Sequence, residues 1–119
     1  TPTYFLVGDV KVSGKNESAF TKFNSSFAPT WTLRLPSQGA QLSAVGPNGG
    51  HYALFNSTSS IPGVTGWKPS TATPIVIRFD SKGVITQALK SSQVKSATTM
   101  AHIAGVGLVV VSQTGIYKG

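Results

Sequence analysis

The sequence predicts an all-β chain made of two four-stranded antiparallel repeats and the opening strand of a third, and three observations carry that prediction. The run Ala19-Phe20-Thr21-Lys22-Phe23-Asn24-Ser25 returns 56 residues later as Ile75-Val76-Ile77-Arg78-Phe79-Asp80-Ser81, and a fixed offset is the mark of one unit used twice. The offset also carries Thr30, Leu33 and Arg34 onto Thr86, Leu89 and Lys90, keeping charge as well as apolarity. Apolar residues alternate with polar ones and do not recur at three and four positions, which is the period of a strand and not of a helix. Finally, Tyr4-Phe5-Leu6-Val7, Tyr52-Ala53-Leu54-Phe55 and Leu108-Val109-Val110-Val111 are three short apolar runs, each close to a glycine.

The first unit, about 4–48, reads as strands near Tyr4 to Val12, Ala19 to Asn24, Thr30 to Leu35 and Gln41 to Val45. The second, about 50–105, copies them near Gly50 to Phe55, Pro74 to Asp80, Val84 to Lys90 and Thr98 to Ala104. A third begins at 107–119, all within one domain spanning 1–119. Asn24-Ser25-Ser26 and Asp80-Ser81-Lys82-Gly83 hold the same turn, because an Asp or Asn side chain bonds its own following backbone. Gly46-Pro47-Asn48-Gly49-Gly50 and Gly105-Val106-Gly107 hold the later one. The one stretch with any helical character is Ser91 to Ala101. First strands match at an offset of 48 and second strands at 56, so unit two carries eight extra residues within Ser57 to Thr73, a polar loop bearing Trp67. An insertion at one loop of a repeat marks a displayed face.

Four strands to a unit, a period near 50 and an Asp-Ser-Lys-Gly turn after an apolar-basic-apolar strand resemble a β-propeller blade. Tyr52 to Ile85, with Asn56-Ser57-Thr58-Ser59-Ser60-Ile61-Pro62-Gly63 followed by Ile75 to Gly83, is similar to the bacterial propeller repeats called SBBP repeats. That family's recurrent acidic residue and Tyr-Val-Thr-Gly strand are replaced here by Gln41-Leu42 and Ala53-Leu54-Phe55-Asn56. The resemblance implies a non-enzymatic, extracellular protein. Two blades do not close a ring, so it also implies completion by other copies, as three two-blade chains form a six-bladed ring in some small fucose-binding lectins, or by the rest of a longer chain. The strands Tyr4 to Val7 and Leu108 to Val111 are then the candidate assembly strands, pairing edge to edge between copies into a ring or fibre. An immunoglobulin-like β-sandwich is the alternative fold, against which the repeat argues.

Composition narrows the function classes. Charged residues are 11% of the chain, against about 25% in an ordinary soluble domain, as in many exported proteins. The absence of cysteine removes disulfides and thiolate metal sites. No apolar run approaches the roughly 20 residues of a membrane span. The start at Thr1, with neither Met nor a signal segment, is expected of a processed chain or a piece of a longer one. Asn16, Asn24 and Asn56 sit in Asn-x-Ser/Thr sequons, making them candidate glycosylation sites on an extracellular or cell-surface protein.

A net charge of +7 favours anionic partners such as acidic polysaccharide. The basic residues are scattered from Lys11 to Lys118, without the cluster that tracks a phosphate backbone, so nucleic acid is not the expected partner. The acids number three, Asp9, Glu17 and Asp80, and form no carboxylate pair. Asp80 reads as a turn former, since Asn24 holds its place in unit one and has no acid–base chemistry. His51 and His102 lack matching ligands, and no Gly-x-Ser-x-Gly elbow exists, so no catalytic residue, metal site or cofactor is expected. Gly46 to Gly50 lacks the Lys and helix of a phosphate loop. Trp31, alternating with Leu33 and Leu35, reads as core. Trp67 beside Lys68 either stacks on a sugar or anchors its loop. The chain thus reads as a structural or adhesive module that assembles, or alternatively as a propeller-type carbohydrate-binding lectin with its site at Trp67 and Lys68.

Overall fold

A computed structural model describes residues 3–90, 94–113 and 115–119. The chain is all-β. Among the described residues nine strands, β1 (Tyr4–Val12), β2 (Lys15–Phe23), β3 (Pro29–Val45), β4 (His51–Ser57), β5 (Thr73–Phe79), β6 (Ile85–Leu89), β7 (Ala97–Ile103), β8 (Gly107–Ser112) and β9 (Gly115–Lys118), form two antiparallel meanders. Strands β1 to β6 form one sheet in sequence order and β7 to β9 a second.

The long strand β3 gives the larger sheet two layers. Its first half, to Pro36, pairs with β2, and its second half, from Ser37, pairs with β4. The hand-over falls at two register shifts, between Ser37 and Ala40 and between Ala40 and Leu42, and Gly39 there has φ +128. Such irregularities bend a strand. The result is one continuous strand where the sequence reading has two, Thr30 to Leu35 and Gln41 to Val45.

Three layers then stack face to face. The first is β1, β2 and the front of β3; the second is the rest of β3 with β4, β5 and β6; the third is β7 to β9. Strands β4 and β5 lie in the middle layer and are buried on both sides, so their alternate residues feed two cores. Ala53, Phe55, Ile75, Ile77 and Phe79 meet Phe20 and Leu35 of layer one. Tyr52, Leu54 and Val76 meet Met100, Leu108 and Val110 of layer three. A continuous apolar run such as Tyr52-Ala53-Leu54-Phe55 is what burial on both faces demands.

The hairpins of units one and two are built alike. Lys22 pairs with Trp31 and Arg78 with Gln87, Phe20 with Leu33 and Val76 with Leu89, and both strand pairs carry a register shift at the same place, after Lys22 and after Arg78. Asn24 Oδ1 accepts the N–H groups of Ser26 and Ala28, as Asp80 Oδ1 accepts those of Lys82 and Val84. Thr30 and Thr86 each donate to the carbonyl eight residues back, at Lys22 and Arg78. The first strands, however, correspond at an offset of 47 and not 48: Phe5 faces Lys22 as Tyr52 faces Arg78, and Val7 faces Phe20 as Leu54 faces Val76. Matching Tyr4 to Tyr52 by residue type slips the strand by one, which exchanges its two faces.

The units also interlock. Strand β7, expected as the fourth strand of unit two, leaves β6 and pairs with β8, just as the end of β3 pairs with β4. Part of the stretch with helical character, 91–93, lies outside the described residues. Its remainder holds a short turn at 94–96 and then enters β7.

Candidate functional site

The interface of layers one and two holds a buried cation. Lys22 is 8% exposed, and its Nζ donates to the carbonyls of Gly49 at 2.9 Å and Ser81 at 3.5 Å. Trp31 Nε1 donates to the same Ser81 carbonyl at 3.1 Å. Both residues are thus clamped by turns of the middle layer. His51, 4% exposed, stacks on Phe5 with ring centroids 4.4 Å apart, and neither ring nitrogen finds a hydrogen-bond partner among the described residues. Burial, and then the Lys22 ammonium, hold its pKa below the usual 6.5, because both disfavour a second positive charge. No group of three metal-ligating side chains occurs among the described residues.

The interface of layers two and three repeats the first residues and lacks the clamp. Tyr52 and Arg78 stand where Phe5 and Lys22 stand one layer earlier. The Arg78 guanidinium lies 5.7 Å from the centre of the Tyr52 ring and 3.4 Å from Gln87 Oε1. No counterpart of the 80–84 turn crosses over it among the described residues. A cleft of about 330 Å³ opens instead, walled by Tyr52, Arg78, Gln87, His102, Leu108 and Tyr117. The repeat displays the cation of this pair, since Lys22 and Arg78 fall at the same place in the two units.

The inserted loop places Trp67 against the first core. Its Nε1 donates to Ser57 Oγ at 2.9 Å, and the buried Ser57 hydroxyl donates on to the Ser59 carbonyl. The ring is therefore held as a loop anchor. It also walls a cleft of about 370 Å³ with Thr71, Ala72, Thr73, Pro74, Lys90 and Lys95. Lys90 Nζ stands 6.0 Å from the ring centre and donates to the Thr65 carbonyl at 3.2 Å. Lys68, expected beside the ring as its cation, is exposed and outside this lining. Lys90 and Lys95, distant from Trp67 in sequence, line the cleft instead.

The candidate assembly strands fare differently. Tyr4, Phe5, Leu6 and Val7 lie in β1, an edge of the larger sheet, with Phe5 and Val7 packed inward and Tyr4 and Leu6 exposed. Leu108, Val109, Val110 and Val111 lie in β8, whose backbone is paired on both sides by β7 and β9. That segment offers no open edge, which corrects the expectation of edge pairing there. What the two ends of the stack do expose is apolar faces. Layer one presents Tyr4, Leu6 and Phe27, at 41%, 62% and 66% exposure, with Tyr4 and Phe27 stacked at 4.6 Å. Layer three presents Ile103 and Ile116 on its outer side, beside half-buried Val109 and Val111.

Of the sequon asparagines, Asn16 in β2 and Asn24 in the first turn are exposed and Asn56 in β4 is half-buried. No helix among the described residues is long and apolar enough to cross a membrane. The chain matches no family model, no curated protein and no solved structure.

Proposed function

We propose that this chain is a non-enzymatic structural or adhesive module of blade-like, propeller-type repeats, working outside the cell, whose end layers stack head to tail on other copies of itself. One observation supports this reading above the rest. The outer face of layer one is the same face that layer two turns toward layer one. By the structural offsets, Leu6 takes the place of Ala53 and Phe23 that of Phe79, and Phe27 that of Gly83. In layer two that face is fully buried under its predecessor: Ala53, Phe55, Ile75, Ile77 and Phe79 are all at 0% exposure. In layer one Leu6 and Phe27 on that face are exposed and Phe23 is half-buried.

A face that repeats a buried one is complementary to what covers the original, so the fitting partner is a sheet of the same kind. Layer three offers one, on the side carrying Ile103, Val109, Val111 and Ile116. Such contacts join two different patches, and repeated they close a ring or run on as a fibre. A further unit within a longer polypeptide would satisfy layer one in the same way. The low charged fraction and the exposed Asn16 and Asn24 sequons support an extracellular setting and glycosylation.

Sedimentation velocity over a hundredfold concentration range tests the stacking. The chain should form species above 12.4 kDa that grow with concentration, while Leu6→Glu and Phe27→Glu, both at exposed positions, should stay monomeric with an unchanged strand spectrum. A native chain that is monomeric throughout, or glutamate variants that associate as well as it does, would overturn the reading.

A further inference from the structure

The acid that pairs with the strand-end cation in the first copy of the hairpin is missing from the second, and that loss marks a site. In unit one, Arg34 pairs with Glu17 at 3.6 Å. Fifty-six residues on, the cation is kept as Lys90 and the acid is replaced by Thr73. Lys90 and Thr73 both line the cleft against Trp67, and Lys95 lines it too. Two lysines thus line a cleft that has no carboxylate among its described lining residues, and none of the three acids is available to move in. Asp9 accepts the Ala40 N–H at 2.7 Å, Glu17 is held by Arg34 and Asp80 is fixed in its turn. Two like charges in one cleft repel, and an anion bound between them relieves that repulsion.

The rest of the lining says what kind of anion. Trp67 supplies a flat apolar ring pinned by its Nε1 bond to buried Ser57, so little side-chain freedom is lost when something stacks on it. Pro74 and Ala72 add apolar surface to the lining, and Thr71 and Thr73 add hydroxyl groups, that of Thr73 donating to the Thr71 carbonyl at 2.9 Å. A pinned indole favours a ring with an apolar C–H face, the threonines favour hydroxyls, and the lysines favour a negative substituent. About 370 Å³ is at the lower end of the range for small-molecule sites.

We infer that this cleft binds an acidic saccharide, with one sugar ring stacked on Trp67 and its carboxylate or sulfate between Lys90 and Lys95. By the structural offsets of 47 and 56, nine residues of the connection that builds the cleft have no counterpart in unit one, so the site is peculiar to unit two. It does not depend on how the end layers assemble.

The test is isothermal titration of the purified chain with three tetrasaccharides: one of galacturonic acid, one sulfated, and one neutral. The acidic probes should bind and the neutral one should bind at least tenfold more weakly. Preference between the first two identifies the anion as carboxylate or sulfate. Lys90→Gln should weaken binding about tenfold. Thr73→Glu, which rebuilds the acid that unit one tolerates beside its cation, should abolish binding with no loss of fold. Lys15→Gln, on the exposed end of β2, should leave binding unchanged. Failure of both acidic probes to bind at millimolar concentration would overturn the site. So would equal losses from Lys15→Gln and Lys90→Gln, because binding would then follow the net charge of +7 and not the cleft.

Discussion

Gly83 is a residue whose replacement should be costly for its size. It has φ +86, and a Cβ built on it would meet Trp31 Cδ2 at 2.7 Å and Cε3 at 2.9 Å. Alanine there must adopt a left-handed backbone, at about 1 kcal/mol, and must also displace a ring that is clamped through its Nε1 to Ser81 in the same turn. Forcing a methyl group into packed surroundings costs about 1–3 kcal/mol. The stiffer unfolded chain gives back about 0.5–1 kcal/mol. The net loss is roughly 1.5–3 kcal/mol, which for a domain of this size lowers Tm by about 6–12 °C. The assay is thermal denaturation followed by strand circular dichroism and tryptophan fluorescence. Its counterpart in unit one is Phe27, also at positive φ (+62) but exposed. There Phe27→Gly should change Tm little, as relieved strain offsets added chain entropy and the lost Tyr4 stack. A Gly83→Ala protein as stable as the native one would refute the packing of Trp31 under the turn.

Two further predictions concern titration. His51 has its folded pKa lowered by burial and by Lys22, so the unfolded state takes up its proton first. The stability this group confers is full above about pH 6.5 and is lost as pH falls from there toward the folded value; melting curves at pH 7.5 and 5 should show a loss that His51→Phe removes, and an equal loss in the variant would contradict it. Asp80 has its pKa lowered by its bond from Val84 N–H first, and by those from Lys82 and Gly83. Its contribution is present above the unfolded value and lost as pH falls through the folded one. Asp80→Asn should therefore keep the turn and Asp80→Ala lose it, as differences in Tm at pH 7 will tell; equal effects would mean that the side-chain bonds do not hold the turn.

The meander was legible because strand period, turn chemistry and the 56-residue repeat all pointed one way. The Asn24 and Asp80 turns could be equated from sequence because the side-chain oxygen, common to both residues, does the bonding. The offset of β1 is not legible from residue type, because a Tyr–Tyr match points to 48 while facing is fixed by pairs such as Phe5 with Lys22 that no run of residues displays. The bend in β3 was hidden for a similar reason: it hands a single strand from one neighbour to the next, and nothing local to Ser37-Gln38-Gly39 states which neighbour follows. At the candidate site, Trp67 was visible as a lone aromatic in an insertion. Lys68 is adjacent in sequence, which points to it as the ring's cation, whereas Lys90 lies over the ring and Lys95 lines the same cleft from positions distant in sequence. The one signal for Lys90 was the exchange of Glu17 for Thr73 across the repeat, and that signal gains meaning once the Arg34 bridge is known.

The measurement that tests head-to-tail stacking most directly uses the absence of cysteine from the chain. Leu6→Cys on the outer face of layer one and Ile116→Cys on the outer face of layer three are made singly and together, and treated with a short bis-maleimide under native conditions. The account predicts that the double variant links into a ladder of multimers, that the two single variants link when mixed, and that neither links alone. Linking of Leu6→Cys to itself, or no linking in any combination, would contradict it.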